Sequence, residues 1–227
     1  MQTVYGLAMA DGREVVEIVL LSVRVSLTAS LIGMAVGAPL GALLCTAADR
    51  PRRIGLAIFS ALLAVPTVVV GLVVYILLSR SGPLGWFGLL FTPTAIIIAQ
   101  VFITLPVITV FSHRACAGPW ADHGDQLRLD IRSRWRQMAQ LMAMARAGLV
   151  TAFLVAFGRA VSEVGAVMIV GGNIRGSTRV MTTAITLETR QGNFNTAVAL
   201  GLILVAISLA ITVITWWVTR ERVVRAG

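Results

Sequence analysis

The chain has 227 residues, of which 57% are hydrophobic and only 13% are charged, and its mean hydropathy is +0.88. A water-soluble domain carries about twice that fraction of charged residues, so an ordinary soluble domain is excluded. The net charge of +9 would suit a nucleic-acid partner, but all nineteen basic residues are arginines and most flank apolar runs. The composition therefore predicts an all-α protein that crosses a membrane several times.

The first residues of the chain carry charges instead of the basic start and small-residue cleavage site of a signal peptide. Asp11, Arg13, Glu14 and Glu17 all lie here, so we expect no cleaved leader. Residues 14–24 form an apolar helix with charges along one side, which predicts a helix lying at the membrane interface.

Five apolar runs are long enough to cross about 30 Å of hydrocarbon. They cover residues 26–46, 57–78, 93–111, 148–170 and 197–218, within a single transmembrane domain of residues 1–227. In the first run, Gly33, Gly37 and Gly41 share one helical face, a spacing that lets two helix backbones approach closely. The alternative is that glycine is simply common in membrane helices.

The distribution of arginine predicts the orientation, because arginine is enriched on the cytoplasmic side of membrane proteins. Arg24 at the interface and Arg159 inside a span are left out of the count. If the N-terminus lies outside, the inner side receives twelve arginines: Arg50, Arg52, Arg53, Arg114, Arg128, Arg132, Arg134, Arg136, Arg146, Arg220, Arg222 and Arg225. The outer side receives five: Arg13, Arg80, Arg175, Arg179 and Arg190. The asymmetry predicts an outer N-terminus and an inner C-terminus.

The longest inner connection, residues 112–147, contains a second amphipathic pattern. Apolar residues recur there at helical spacing, with arginines beside them: Leu127, Ile131, Trp135 and Met138, then Arg128, Arg132 and Arg136. The pattern predicts a short cytoplasmic helix that begins near Asp125. Anionic lipid headgroups and a protein partner are both open as its contact.

This loop lies between the third and fourth of the five runs, and its position resembles the coupling loop of permease subunits of ABC importers. The family motif there begins Glu-Ala-Ala and has a glycine a few residues later. Asp125, Gln126 and Leu127 occupy the first three positions here, and Ile131 replaces the glycine. The resemblance implies docking on an ATPase subunit through the following residues: Asp125, Leu127, Arg128, Ile131, Arg132 and Trp135.

Two further segments, residues 80–100 and 158–189, resemble the membrane subunit of the tungstate branch of the tungstate, molybdate and sulfate importers. The second segment includes the Arg-x-x-x-Glu-x-Gly pattern of Arg159, Glu163 and Gly165 and the Gly-Asn-Ile after it. The resemblance implies the type I ABC importer permease fold in a prokaryotic cytoplasmic membrane. It also implies a homodimer, a separate ATPase dimer that holds ATP and Mg, and an extracytoplasmic binding protein that delivers tungstate, while this chain binds no cofactor or metal.

Arg159 and Glu163 lie four residues apart in an apolar run, so we expect them to pair on one helical face. A packing role and a role in the translocation pathway are both open for this pair. Further candidate contacts for the anion are hydrogen-bond donors, namely the side chains of Asn173, Thr182 and Thr183 and the amides around Gly171 and Gly172.

Other functions fit the sequence less well. The chain has no lysine and therefore no phosphate-binding loop of the Gly-x-x-x-x-Gly-Lys type, so ATP hydrolysis is expected on a partner. A molybdate or sulfate permease is the nearer alternative. An intramembrane hydrolase is the distant one, because the two histidines, His113 and His123, both lie in the cytoplasmic loop. Cys45 and Cys116 are expected to be free thiols.

Overall fold

A computed structural model describes the backbone of residues 2–225 and the side chains of residues 12–217. All regular elements of this part are helical, which confirms the prediction of an all-α protein. The α-helices are α1 (Gln2–Thr46), α2 (Asp49–Ala64), α3 (Thr67–Leu78), α4 (Pro93–Asp130), α5 (Arg134–Met144), α6 (Arg146–Val161), α7 (Gly165–Gly171), α8 (Met181–Gln191) and α9 (Phe194–Arg225). A 3₁₀ turn, Gly85–Phe87, lies between α3 and α4.

Among the described residues, three helical segments are long and apolar enough to cross a membrane: Gly12–Thr46 of α1, Pro93–Asp130 of α4 and Phe194–Trp217 of α9. Two pairs of shorter helices, α2 with α3 and α5 with α6, pass the same criterion but are bent at a short break. The count rises to five if each bent pair is one span. Five spans and their orientation stay predictions.

The helix expected at the interface is not separate from the first span. Helix α1 continues through residues 14–24 and on to Thr46. The polar residues near the expected boundary do not interrupt it, because the Ser22 and Thr28 hydroxyls donate to the carbonyls of Ile18 and Arg24, one turn earlier. Such internal bonds satisfy hydroxyl groups without ending a helix.

The apolar runs 57–78 and 148–170 were each expected to be one span, the first bent at Pro66, and both are broken. The first is interrupted before α3, where Pro66 lacks an amide proton and Val65 takes an extended conformation. The second stops at Val161 and resumes at Gly165. The side chain of Glu163 accepts a hydrogen bond from the Ala166 amide there, which favours the start of a new helix.

The chain divides into two compact units. The first unit comprises residues 1–29, 66–100 and 160–209. Its fully buried side chains include Ile96, Val167, Val170 and Met181. The second unit comprises residues 30–65, 101–159 and 210–227, and its core includes Ala42, Ile108, Leu141 and Ala156.

Within the second unit, the three glycines of α1 lie directly against α4. Gly33, Gly37 and Gly41 face Thr104, Ile108 and Ser112, in that order. A methyl group on Gly41 would lie 2.7 Å from the main-chain oxygen of Thr109 and 2.8 Å from the nitrogen of His113. The two helix backbones therefore approach most closely at Gly41. Cys45, one turn later, is buried and donates to the His113 carbonyl at 3.2 Å.

Candidate functional site

Glu163 lies in the first unit, at the break that precedes α7. Its side chain is buried, and Oε1 accepts a hydrogen bond from the Ala166 amide at 3.1 Å. Its main-chain oxygen accepts a hydrogen bond from the Thr182 hydroxyl at 2.8 Å. A carboxylate at a helix N-terminus is stabilised by the helix dipole. Glu163 therefore starts α7 and ties this turn to α8.

Thr182 and Thr183, two candidate contacts for the anion, are buried at the start of α8. The Thr182 hydroxyl donates a hydrogen bond to the main-chain carbonyl of Glu163. The Thr183 hydroxyl donates to the Val180 carbonyl at 3.1 Å and accepts from the Val180 amide at 3.1 Å. Both hydroxyl protons are used within the chain. In this conformation the two threonines hold the α7–α8 frame.

The Gly-Asn-Ile segment forms a tight turn after α7. Gly172 and Asn173 have φ angles of 68° and 53°, a conformation that glycine and asparagine adopt more readily than other residues. The buried Thr178 hydroxyl donates to the Gly171 carbonyl and accepts from the Ile174 amide. Asn173 Oδ1 is buried and has no hydrogen-bond partner among the described residues. The turn thus leaves one polar side-chain atom unsatisfied.

Arg159 lies in the last turn of α6, and its side chain is exposed in the single chain. The helix dipole favours a cation at this end. Arg159 and Glu163 were expected to lie on one face of a single helix. They do not, because α6 ends at Val161 and Glu163 lies beyond it. A charged side chain exposed on a membrane helix has to reach water, headgroups or another chain.

A cluster of charges in the first unit was missed in the sequence. The Glu14 carboxylate accepts hydrogen bonds from Arg175 Nε at 2.8 Å and from Arg179 Nη1 at 3.2 Å, and Arg175 Nη2 makes a third, short contact. Arg175 is 161 residues from Glu14 along the chain. Sequence spacing reveals helical pairs three or four residues apart, so no local pattern indicated this cluster.

The cytoplasmic helix expected from Asp125 onward is not one helix. Helix α4 continues to Asp130, residues 131–133 form a break, and α5 starts at Arg134. The Gln137 side chain donates to the Ile131 carbonyl at 2.6 Å, which satisfies a carbonyl left free by the break. Among described non-glycine residues, only Phe91 and Asn173 have a positive φ. The break therefore needs no glycine at position 131.

The break also changes which apolar residues are exposed. Leu127 and Met138 are buried, Ile131 is half-buried, and Trp135 is 75% exposed. Leu129, which the pattern did not select, is 87% exposed. The expected stripe of Leu127, Ile131 and Trp135 thus does not form a single exposed face.

The charged residues predicted at this surface are exposed. Arg128 pairs with Asp125 at 3.4 Å, and its guanidinium lies 5.0 Å from the centre of the Trp120 ring. Arg132 lies in the break and is also exposed. Because these side chains are exposed, they are accessible to a partner. An exposed ion pair of this kind also stabilises the fold only slightly.

Broken apolar helices are found in many membrane transporters. No protein-family model matches the chain. It is 40% identical over 212 residues to the tungstate uptake system permease protein TupB of Peptoclostridium acidaminophilum, covering 92% of this chain and 91% of the relative. It is 42% identical over 201 residues to a probable anion ABC transporter permease protein of Haloferax volcanii, covering 86% and 87%. Identity to the molybdenum transport system permease protein ModB of Escherichia coli K12 is 27% over 218 residues, covering 92% and 95%.

The chain therefore belongs to the family of ABC transporter permeases that includes the tungstate uptake permeases. The sequence-based prediction of this family is confirmed. As a permease the chain is a transport subunit and not an enzyme, and it resides in the cytoplasmic membrane.

Proposed function

We propose that the chain is the membrane-spanning subunit of an ATP-driven importer of tungstate. The observation that carries the proposal is the difference in identity between two groups of relatives. Two tungstate uptake permeases are 40% identical to the chain, whereas the molybdenum permeases are 26–27% identical. Tungstate and molybdate have nearly the same size and charge, so a molybdate or sulfate permease is the alternative.

The complete transporter contains two copies of the chain, a dimer of ATPase subunits and an extracytoplasmic binding protein. ATP and Mg belong to the ATPase subunits in this proposal. The break between α4 and α5 docks on the ATPase, with Leu129 and Trp135 as its exposed apolar anchors. Both the exposure of these side chains and the family membership support this assignment.

In the membrane, we assign Arg159 to the translocation pathway. Its exposed guanidinium on α6 supports this role, because isolated charges in hydrocarbon cost several kcal/mol. Glu163, Thr182 and Thr183 contribute to the pathway by holding α7 and α8 in place, as their hydrogen bonds indicate. Asn173 is a further pathway contact, because its side-chain NH₂ group can donate hydrogen bonds to an anion.

The proposal is tested with the complete transporter in liposomes that enclose ATP. External tungstate, molybdate and sulfate are supplied separately, and the metal or sulfur retained inside is measured by mass spectrometry. We expect ATP-dependent uptake of tungstate, and the purified binding protein should retain tungstate from a mixture of the three anions. Uptake and retention of molybdate or sulfate without tungstate would instead establish the alternative.

A further inference from the structure

Three charged residues of the first unit meet at one place. Glu14 belongs to α1, and Arg175 and Arg179 belong to the segment between α7 and α8. The side chains of Glu14 and Arg179 are 22% and 15% exposed, whereas that of Arg175 is 72% exposed. Arg179 therefore forms the buried part of the cluster, and Arg175 forms the part that is exposed to solvent.

Two guanidinium groups share one carboxylate here, which leaves an excess of one positive charge in the trio. Arg179 Nε is buried and has no hydrogen-bond partner among the described residues. A buried donor without an acceptor is costly. Arg179 therefore has hydrogen-bonding capacity for an additional anionic oxygen.

The trio borders an open cavity of about 840 Å³ in the same unit. Amide and hydroxyl side chains contribute to its wall: Gln191, Asn193, Asn195 and Thr196. Glu188 also lies on this wall, and its carboxylate accepts from Asn193 Nδ2 at 3.0 Å. Because Glu188 repels anions, an anion in this cavity is favoured on the arginine side. Arg175 and Arg179 belong to the side that the arginine distribution predicts to be extracytoplasmic.

We propose that Arg175 and Arg179 form an entry site for a divalent tetrahedral oxyanion, with Glu14 occupying that site in the absence of the anion. A carboxylate and one edge of a tetrahedral oxyanion both present two oxygens to a guanidinium group. A divalent anion attracts the two arginines more strongly than the monovalent carboxylate does. Because Glu14 is tethered beside the arginines, it competes at a high effective concentration, which keeps binding weak enough for release. The inference deepens the proposed function, on which it rests.

The two sides of the ion pair should affect anion binding in opposite directions. The permease–ATPase complex in nanodiscs, without binding protein, is dialysed against tungstate, and bound tungsten is measured by mass spectrometry. Glu14→Gln should lower the half-saturating tungstate concentration by about threefold or more, since it removes the competing charge. Arg175→Gln and Arg179→Gln should each raise it by about tenfold, since each removes a charge-assisted donor.

Two matched controls separate this effect from a general change in charge. Asp122→Asn removes the same charge from α4, from a side chain that is exposed and forms no ion pair among the described residues. Arg190→Gln removes an exposed arginine of α8 that is likewise unpaired there. Both controls should bind tungstate as the parent protein does. Arg175→Gln keeps the test decisive if Arg179→Gln fails to fold, because the Arg175 side chain is largely exposed.

A purely structural ion pair predicts a different pattern. The exchange Glu14→Arg with Arg179→Glu would then restore thermal stability, and tungstate binding would be unchanged in every folded variant. That pattern, or a shift of binding in the same direction for Glu14→Gln and Arg175→Gln, would overturn the entry site. If the parent transporter takes up no tungstate, the proposed function fails, and dialysis against molybdate and sulfate still decides whether the site binds oxyanions.

Discussion

At the scale of single residues, Gly41 is the one of the three glycines on this face of α1 that lies against main-chain atoms of α4. Gly33 would bring an added methyl group against the side chains of Thr104 and Ile108, which can rotate. Gly41 would bring it against main-chain atoms of α4. Backbone atoms in a helix move only with the whole helix, so the two positions differ in their tolerance to substitution.

We therefore expect Gly41→Ala to destabilise the protein by about 3 kcal/mol, because an overpacked helix contact forces backbone shifts. Gly201→Ala is the matched control, since Gly201 lies inside α9 with no described atom of another element within 4 Å of an added methyl group. Alanine there should be neutral or stabilising by about 0.5–1 kcal/mol. Thermal unfolding in detergent, followed by size-exclusion chromatography, measures both variants. Equal stability of the two variants would contradict the close approach at Gly41.

The glycine spacing in the sequence indicated a packing face, and the structure places that face against α4. The partner helix could not be predicted, because spacing along one helix contains no information about its neighbour. The cluster of Glu14, Arg175 and Arg179 lay beyond sequence reasoning for the same reason. Residues far apart in the chain meet only through the tertiary fold.

At the scale of helices, apolar length and the bend at Pro66 were predictable, but the other breaks were not. Pro66 coincides with the break before α3, whereas Pro39, Pro106 and Pro119 all lie inside helices. The break after Asp130 contains no proline. Hydrophobic periodicity reports which residues avoid water and does not report whether the backbone bends between them.

The break after Asp130 separates the roles of Leu127 and Trp135, which one continuous helix would have placed on one face. Trp135→Ala should weaken co-purification with the ATPase by about 2 kcal/mol, as loss of an exposed aromatic anchor often does, and leave stability unchanged. Leu129→Ala should act in the same direction. Leu127→Ala removes a buried side chain and should lower the free energy of unfolding by about 2–4 kcal/mol.

Co-purification and thermal unfolding of the three variants test these roles together. A vesicle-flotation assay with anionic lipid is the control for headgroup binding. If Trp135→Ala retains the ATPase and loses only lipid association, the α4–α5 break rests on headgroups and does not dock on the ATPase.

At the scale of the whole molecule, composition was sufficient for the class, and motif resemblance was sufficient for the family. Neither composition nor motif resemblance determined how many times the chain crosses the membrane. Three helices satisfy the criteria for a span alone, and the bent pairs decide whether there are five. The arginine distribution predicts the orientation only for a given count, so topology needs its own measurement.

Single cysteines at Leu84 and Ser133 should label from opposite sides of the membrane. Leu84 is 40% exposed in the connection between α3 and α4, and Ser133 is exposed in the break after α4. Ser133 makes no side-chain cap bond, so its replacement should disturb α5 little. Cys45 and Cys116 are buried, so the parent protein should remain unlabelled and serve as the control.

With an outer N-terminus, a membrane-impermeant maleimide should label Leu84→Cys in intact cells. It should label Ser133→Cys only after the membrane is permeabilised, because the twelve-to-five arginine distribution places residues 112–147 inside. The reverse pattern would invert the orientation and move Arg175 and Arg179 to the cytoplasmic side. Labelling of both positions from one side would mean that α4 does not cross the membrane, although it is long and apolar enough to do so.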